Sequence, residues 1–151
     1  PRALGNRSIL ANPTSSSTKH VLDHYMKLRD RYRPYAPVVI EEEAYKYFDV
    51  DPEDCSSPVM MRNVKVISKI LPAITHIDKT ARLQTVKKSE NEVLYTLLKK
   101  VNEKIGVPIL LNTSFNRPGE PIVETPYDAL NSFSKGSLDY LFIENILISR
   151  N

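Results

Sequence analysis

The chain has 151 residues and a net charge of +3, with 41% hydrophobic and 26% charged positions. These totals predict one domain with a real core and an ordinary soluble composition, and no window holds the apolar run a membrane span needs. The mild, interspersed charge argues against a dedicated nucleic-acid binder while leaving room for a local cationic pocket.

The opening residues, Pro1-Arg2-Ala3-Leu4-Gly5-Asn6-Arg7, carry no apolar signal-peptide core. Arg2 and Arg7 flank Gly5, a residue that permits a tight turn or a close backbone approach. After a Ser-rich loop, Ser17 or Thr18 is placed to cap a helix running to about Asp30. Its apolar positions, Val21, Leu22, Tyr25 and Leu28, recur at helical spacing. His20 and His24 stand four apart on that helix, a metal-ligand spacing, but neither the zincin Glu nor a third ligand accompanies them. Two solvent-facing histidines are the simpler reading. The helix ends at Arg33-Pro34, because a residue before proline avoids the α region. Lys27, Arg29, Arg31 and Arg33 thus crowd one helix end, either as a solvated basic face complementing the helix dipole or as a grip on phosphate or carboxylate.

Val38-Val39-Ile40 reads as a strand, residues 41–47 as a short helix, and residues 49–58 as a surface loop in which Cys55 is an incidental thiol. A single cysteine cannot form an intrachain disulfide, so a cytoplasmic setting is the default. Val59-Met60-Met61 and Val64-Lys65-Val66 suggest strands. Residues 73–78 and 81–86 alternate as strands do, with Thr80, Arg82 and Gln84 on one side and Leu83 on the other. Ser89-Glu90-Asn91-Glu92 is read as a capping box opening a helix striped by Val93, Leu94, Leu97, Leu98, Val101 and Ile105, with Gly106 as its stop. Thr125-Pro126 caps a further helix that Gly136 ends, and residues 140–143 and 146–148 read as closing strands. The strand and helix signals together predict an α/β domain: a twisted mixed sheet with packed helices.

The central stretch is Ile109-Leu110-Leu111-Asn112-Thr113-Ser114-Phe115-Asn116, followed by a Pro-Gly turn. Its apolar run suits a strand buried on both faces, and its polar residues then fall at a strand end, where open α/β sheets place ligands. An extended backbone points Asn112, Ser114 and Asn116 the same way, toward an anion or a small polar ligand. Taken alone, the stretch reads more simply as a turn in which Asn and Ser satisfy the backbone.

Four blocks together resemble one family, the O-carbamoyltransferases of antibiotic and nodulation-factor biosynthesis. They are residues 1–9, Lys27 through Arg33-Pro34-Tyr35-Ala36-Pro37, His76-Ile77-Asp78-Lys79-Thr80-Ala81-Arg82-Leu83-Gln84-Thr85-Val86, and Leu111 through Asn116, extended by Gly119-Glu120-Pro121 and Thr125-Pro126. The match is to the C-terminal, YrdC-like part of these two-part proteins and covers residues 1–151 as one domain. The resemblance implies that ATP and carbamoyl phosphate, with Mg²⁺, give carbamoyl adenylate. It also implies an N-terminal, actin-like ATPase-fold partner that holds its own metal and passes the carbamoyl group to a hydroxyl. Neither that part nor its metal ligands are in this chain, and no metal site is assigned here.

Matching by position assigns Lys27, Arg33 and Arg82 to catalysis, and these with Arg2, Asn112 and Ser114 to ATP and carbamoyl phosphate binding. Arg7, Thr80, Gln84 and Asn116 are second choices. Asn112 and Ser114 are expected to hold carbamoyl or α-phosphate oxygens. Lys79 departs from the family pattern, which has glycine there, and leaves the roles of His76 and Asp78 open. The alternatives are an RNA- or nucleotide-binding YrdC-like module without catalysis, and a fragment inactive without its N-terminal half.

Overall fold

The structure, a computed structural model, describes residues 3–27 and 34–150, with the side chains of Tyr25 and Lys27 outside that description. The apolar run before Asn112 forms β5, Ile109–Ser114, the second strand of a five-stranded sheet. On one side β5 pairs antiparallel with β1, Ser8–Ala11, and on the other with β2, Ala36–Ile40. β2 lies parallel to β4, Thr80–Val86, and β4 pairs antiparallel with β3, Arg62–Lys65. The order is therefore β1-β5-β2-β4-β3, and the expected mixed α/β sheet is present. Every residue of β2 is buried, as an interior strand covered on both faces requires.

Two apolar clusters hold the sheet. On one face, Val38, Ile40, Val86 and Leu110 pack under Leu94 and Leu98 of α2, Glu92–Ile105. Burial of those two leucines stabilises the pairing by about 1.5–3 kcal/mol each. On the other face, Ile9, Val39, Leu83, Ile109 and Leu111 meet Leu22, Met26 and Phe133, the last from α3, Pro126–Lys135. β6, Tyr140–Ile143, and β7, Ile146–Ser149, close the chain as a separate hairpin, with Leu141 joining that second cluster.

Several local expectations are corrected. The first helix, α1, Ser16–Val21, starts after Ser15, whose side chain makes no cap hydrogen bond. It then widens into a π-helix, Leu22–Lys27, which rotates the buried stripe onto Leu22, Asp23 and Met26 and leaves Val21 exposed. Its expected continuation to Asp30, through Leu28, lies outside the described residues. The cap of α2 is Asn91, whose Oδ1 accepts from Leu94 N at 3.0 Å, rather than Ser89. Val93 consequently falls off the buried stripe and is exposed.

Residues 59–61 form no strand: Met60 has φ +59°, and Val59 and Met61 are exposed. Residues 73–79 are turns, because His76 N donates to Thr80 O and Lys79 N to His76 O, closing a tight loop before β4. Cys55 is buried, its thiol donating to Asp51 O at 3.0 Å, so the surface reading of residues 49–58 fails there. Burial raises that thiol's pKa.

Residues 41–46 form the short helix expected, in 3₁₀ form. Gly106, φ +77°, ends α2 as read from the sequence. Thr125 and Asp128 make a full capping box for α3.

Candidate functional site

Strand register divides the α2-covered face of the sheet into two ends. Residues directly opposite in neighbouring strands share a face, and Asn112 pairs with both Leu10 and Ala36. Val38 pairs with Gln84, which sets Ala36 level with Arg82, and Arg82 pairs with Asn63. One end of this face is therefore the apolar patch under α2. The other carries Ser8, Ser114, Asn112, Thr80, Arg82 and Gln84. The antiparallel turn of β5 against β2 explains the split, since the C-terminal end of β5 meets the N-terminal ends of β2 and β4.

The polar end is wired across a strand. Asn112 Nδ2 donates to Gln84 Oε1 at 2.6 Å, and Gln84 Nε2 donates to Leu4 O at 3.3 Å. β2 lies between β5 and β4, and the small Ala36 leaves room for the long Gln84 side chain to reach over it. Asn112 and Gln84 are both buried, and Asn112 Oδ1 has no hydrogen-bond partner among the described residues. Leu4 belongs to a segment that passes close to the first turn of α2. A Cβ at Gly5 would lie 2.5 Å from Leu94 Cδ2, and Gly5 has φ +104°, so glycine is required there.

Arg82 is exposed on this face. Beside it, His76 sits in the turn before β4, with Nδ1 3.3 Å from Thr80 Oγ1. Thr80 Oγ1 donates to Asp78 Oδ1 at 2.7 Å, so it accepts from His76, which is thereby held with its proton on Nδ1. Burial lowers the His76 pKa; nearby Asp78 opposes this, and the charges of Arg82 and Lys19 lower it further. Lys19 is the cation the sequence reading missed. It pairs with Asp23 at 2.7 Å and lies 5.4 Å from the Tyr35 ring centroid, while Tyr35 OH donates to Asp23 at 2.8 Å. That buried contact ties the π-helix to Tyr35, the residue entering β2.

The expected residues fall into three groups. Arg82, Asn112, Ser114, Thr80 and Gln84 share the polar end of the sheet. Arg7 and Asn116 brace the loop after β5: Arg7 Nη1 donates to Val123 O at 3.0 Å, and Asn116 Nδ2 donates to Glu120 O at 2.9 Å. Asn116 also borders the polar end, since Ser114 Oγ donates to Asn116 Oδ1 at 2.6 Å. Arg2, Arg33 and the side chain of Lys27 lie outside the described residues. One N–H of the Asn112 amide is bonded to Gln84, which leaves Asn112 a second N–H and the unpaired Oδ1 to offer a ligand.

His20 and His24 are exposed and stacked at 5.9 Å, and among the described residues no group of three or more His, Cys, Asp or Glu side chains is arranged to hold a metal ion. Lys79 has φ +64°, the left-handed backbone that favours glycine. Among the described residues no helix is long and apolar enough to cross a membrane.

The fold and this face define an α/β domain with a polar, cation-edged sheet end. The family model described as carbamoyltransferase C-terminus matches residues 1–150, and the chain belongs to that family. It is 42% identical over 153 residues to nodulation protein NolNO of Sinorhizobium fredii, covering 99% of this chain and 22% of that protein. It is 40% identical over 153 residues to nodulation protein NolO of Bradyrhizobium diazoefficiens, covering 99% and 28%. The 3'-hydroxymethylcephem-O-carbamoyltransferase of Amycolatopsis lactamdurans is 42% identical over 130 residues, covering 85% and 24%. The chain thus spans about a quarter of the length of these curated relatives. The crystal structure of full-length HypF in a phosphate- and nucleotide-bound form shares the fold, with TM-score 0.62 at 22% identity over 85% of this chain and 16% of that one.

Proposed function

We propose that this chain is the activating part of an O-carbamoyltransferase, making carbamoyl adenylate from ATP and carbamoyl phosphate. The observation that carries the reading is the family match over residues 1–150 together with Arg82, Gln84, Asn112 and Ser114 on one sheet face. Water cleaves carbamoyl phosphate to carbamate, phosphate and a proton. A carbamate oxygen then attacks the α-phosphorus of ATP, and pyrophosphate leaves with the electrons of the broken P–O bond. Both steps move negative charge among phosphoryl oxygens, so the protein has mainly to position and neutralise.

Arg82 is proposed as a cation for that task; Arg2, Lys27 and Arg33 are proposed to join it. Ser114 is proposed to orient the reactants. The described face offers cations and neutral amides rather than a carboxylate cage, so Mg²⁺ fits this site as an ion carried on the ATP phosphates, neutralising them. Transfer to a hydroxyl acceptor is assigned to the remaining length of such proteins, in keeping with the quarter-length coverage of the relatives.

Incubating the protein with ATP, Mg²⁺ and carbamoyl phosphate is expected to release pyrophosphate. A folded sample that releases none and binds neither reactant would refute the reading. Steeply salt-dependent binding of duplex RNA would instead favour a nucleic-acid module.

A further inference from the structure

We infer that Asn112 Oδ1 is a fixed hydrogen-bond acceptor that selects an acyl phosphate bearing an N–H group, and so distinguishes carbamoyl phosphate from acetyl phosphate. The inference rests on the proposed function and adds the group that reads the acyl end.

The side-chain orientation follows from an acceptor at one end of a short chain of hydrogen bonds. A backbone carbonyl can only accept, so the Gln84 group facing Leu4 O is its N–H₂. Gln84 therefore turns its oxygen toward Asn112. Only the Asn112 N–H₂ can meet an oxygen, and it does so at 2.6 Å. The second amide N–H and Oδ1 are what remain, and Oδ1, in a residue 1% exposed, has no partner among the described residues. A buried acceptor left unpaired is unfavourable, and native proteins keep few of them.

The neighbours decide which ligand group belongs there. Asn112 is level with Ala36 and Arg82 in adjacent strands, so the acceptor sits on the same row as the cation assigned to phosphate. A phosphate oxygen would repel Oδ1, whereas an N–H donor completes it. Carbamoyl phosphate carries both chemistries: an anionic end for Arg82 and an amide N–H₂ for Asn112. Acetyl phosphate has the same anionic end and a methyl group in place of the amine. A site built around a hydrogen bond to the substrate penalises the analogue that lacks it, because the protein group stays unpaired. Gln84 acts through Asn112 as a positioning residue.

The test compares binding of carbamoyl phosphate and acetyl phosphate to the full-length polypeptide by calorimetry, in wild type, Asn112→Leu and Gln84→Leu. Wild type is expected to prefer carbamoyl phosphate by roughly 10- to 100-fold, the effect of one buried hydrogen bond and its unpaired alternative. Asn112→Leu is expected to abolish the preference, with a urea denaturation curve as the measure of an intact fold. Gln84→Leu, which frees the Asn112 amide to turn over, is expected to reduce it and serves if the leucine at 112 prevents folding. Equal binding of the two acyl phosphates by wild type, or an unchanged preference in the folded variants, would overturn the inference. Pyrophosphate release is read separately, so failure of the adenylation chemistry and failure of the selectivity give different results.

Discussion

Removing the Arg82 guanidinium is the most informative single perturbation of the proposed phosphate site. The residue is exposed on β4, opposite Asn63, and its backbone is held by pairing with β3. A substitution at such a position changes folding stability by only about 0.5 kcal/mol. A charge-assisted hydrogen bond to phosphate is worth about 1.5–3 kcal/mol. Arg82→Ala is therefore expected to raise the dissociation constant for ATP or carbamoyl phosphate by about 10- to 150-fold, with the urea midpoint nearly unchanged. Arg82→Lys is expected to recover part of the loss, since it keeps the charge but not the planar fork. Calorimetric titration at two salt concentrations reads the effect, and a denaturation curve controls for folding. Affinity for both reactants unchanged in Arg82→Ala would remove this residue from the site.

Three further outcomes follow from local structure. Lys79 adopts φ +64° in a turn fixed by hydrogen bonds at Lys79 N and Lys79 O, so Lys79→Gly is expected to stabilise the fold by about 0.5–1 kcal/mol; a lower urea midpoint would contradict this. The His76 pKa is lowered, chiefly by burial, so the unfolded chain takes up a proton more readily. Its contribution to stability is complete above its ordinary value of 6.5 and is lost as pH falls through the lower folded value; the pH slope of unfolding should flatten in His76→Gln, and an identical slope would refute it. Cys55, buried and with its pKa raised, should react slowly with a thiol reagent at neutral pH and promptly after denaturation; prompt native reaction would show that the thiol is accessible.

Much of the framework was legible in the sequence because local signals and tertiary packing agree there. The apolar run before Asn112 did become a buried interior strand, Gly106 stops α2, and Thr125-Pro126 opens α3. The π-helix was not legible, because Val21, Leu22 and Tyr25 satisfy an ordinary helical period and nothing local marks the widened turn. Residues 73–78 alternate like a strand, but backbone hydrogen bonds between His76 and Lys79–Thr80 commit them to a turn. At the candidate site, the alternation of Thr80, Arg82 and Gln84 correctly placed three side chains on one face. The bond from Asn112 to Gln84 joins residues 28 positions apart across β2, which no local pattern shows. Lys19 escaped notice for a similar reason: its proximity to His76 and Tyr35 arises only when helix and sheet are packed.

The proposed reaction is tested most directly by exchange of labelled pyrophosphate into ATP in the presence and absence of carbamoyl phosphate. Reversible adenylate formation predicts exchange that requires carbamoyl phosphate and falls in Arg82→Ala. Exchange that ignores carbamoyl phosphate, or ATP consumption yielding ADP and phosphate with no pyrophosphate, would contradict it.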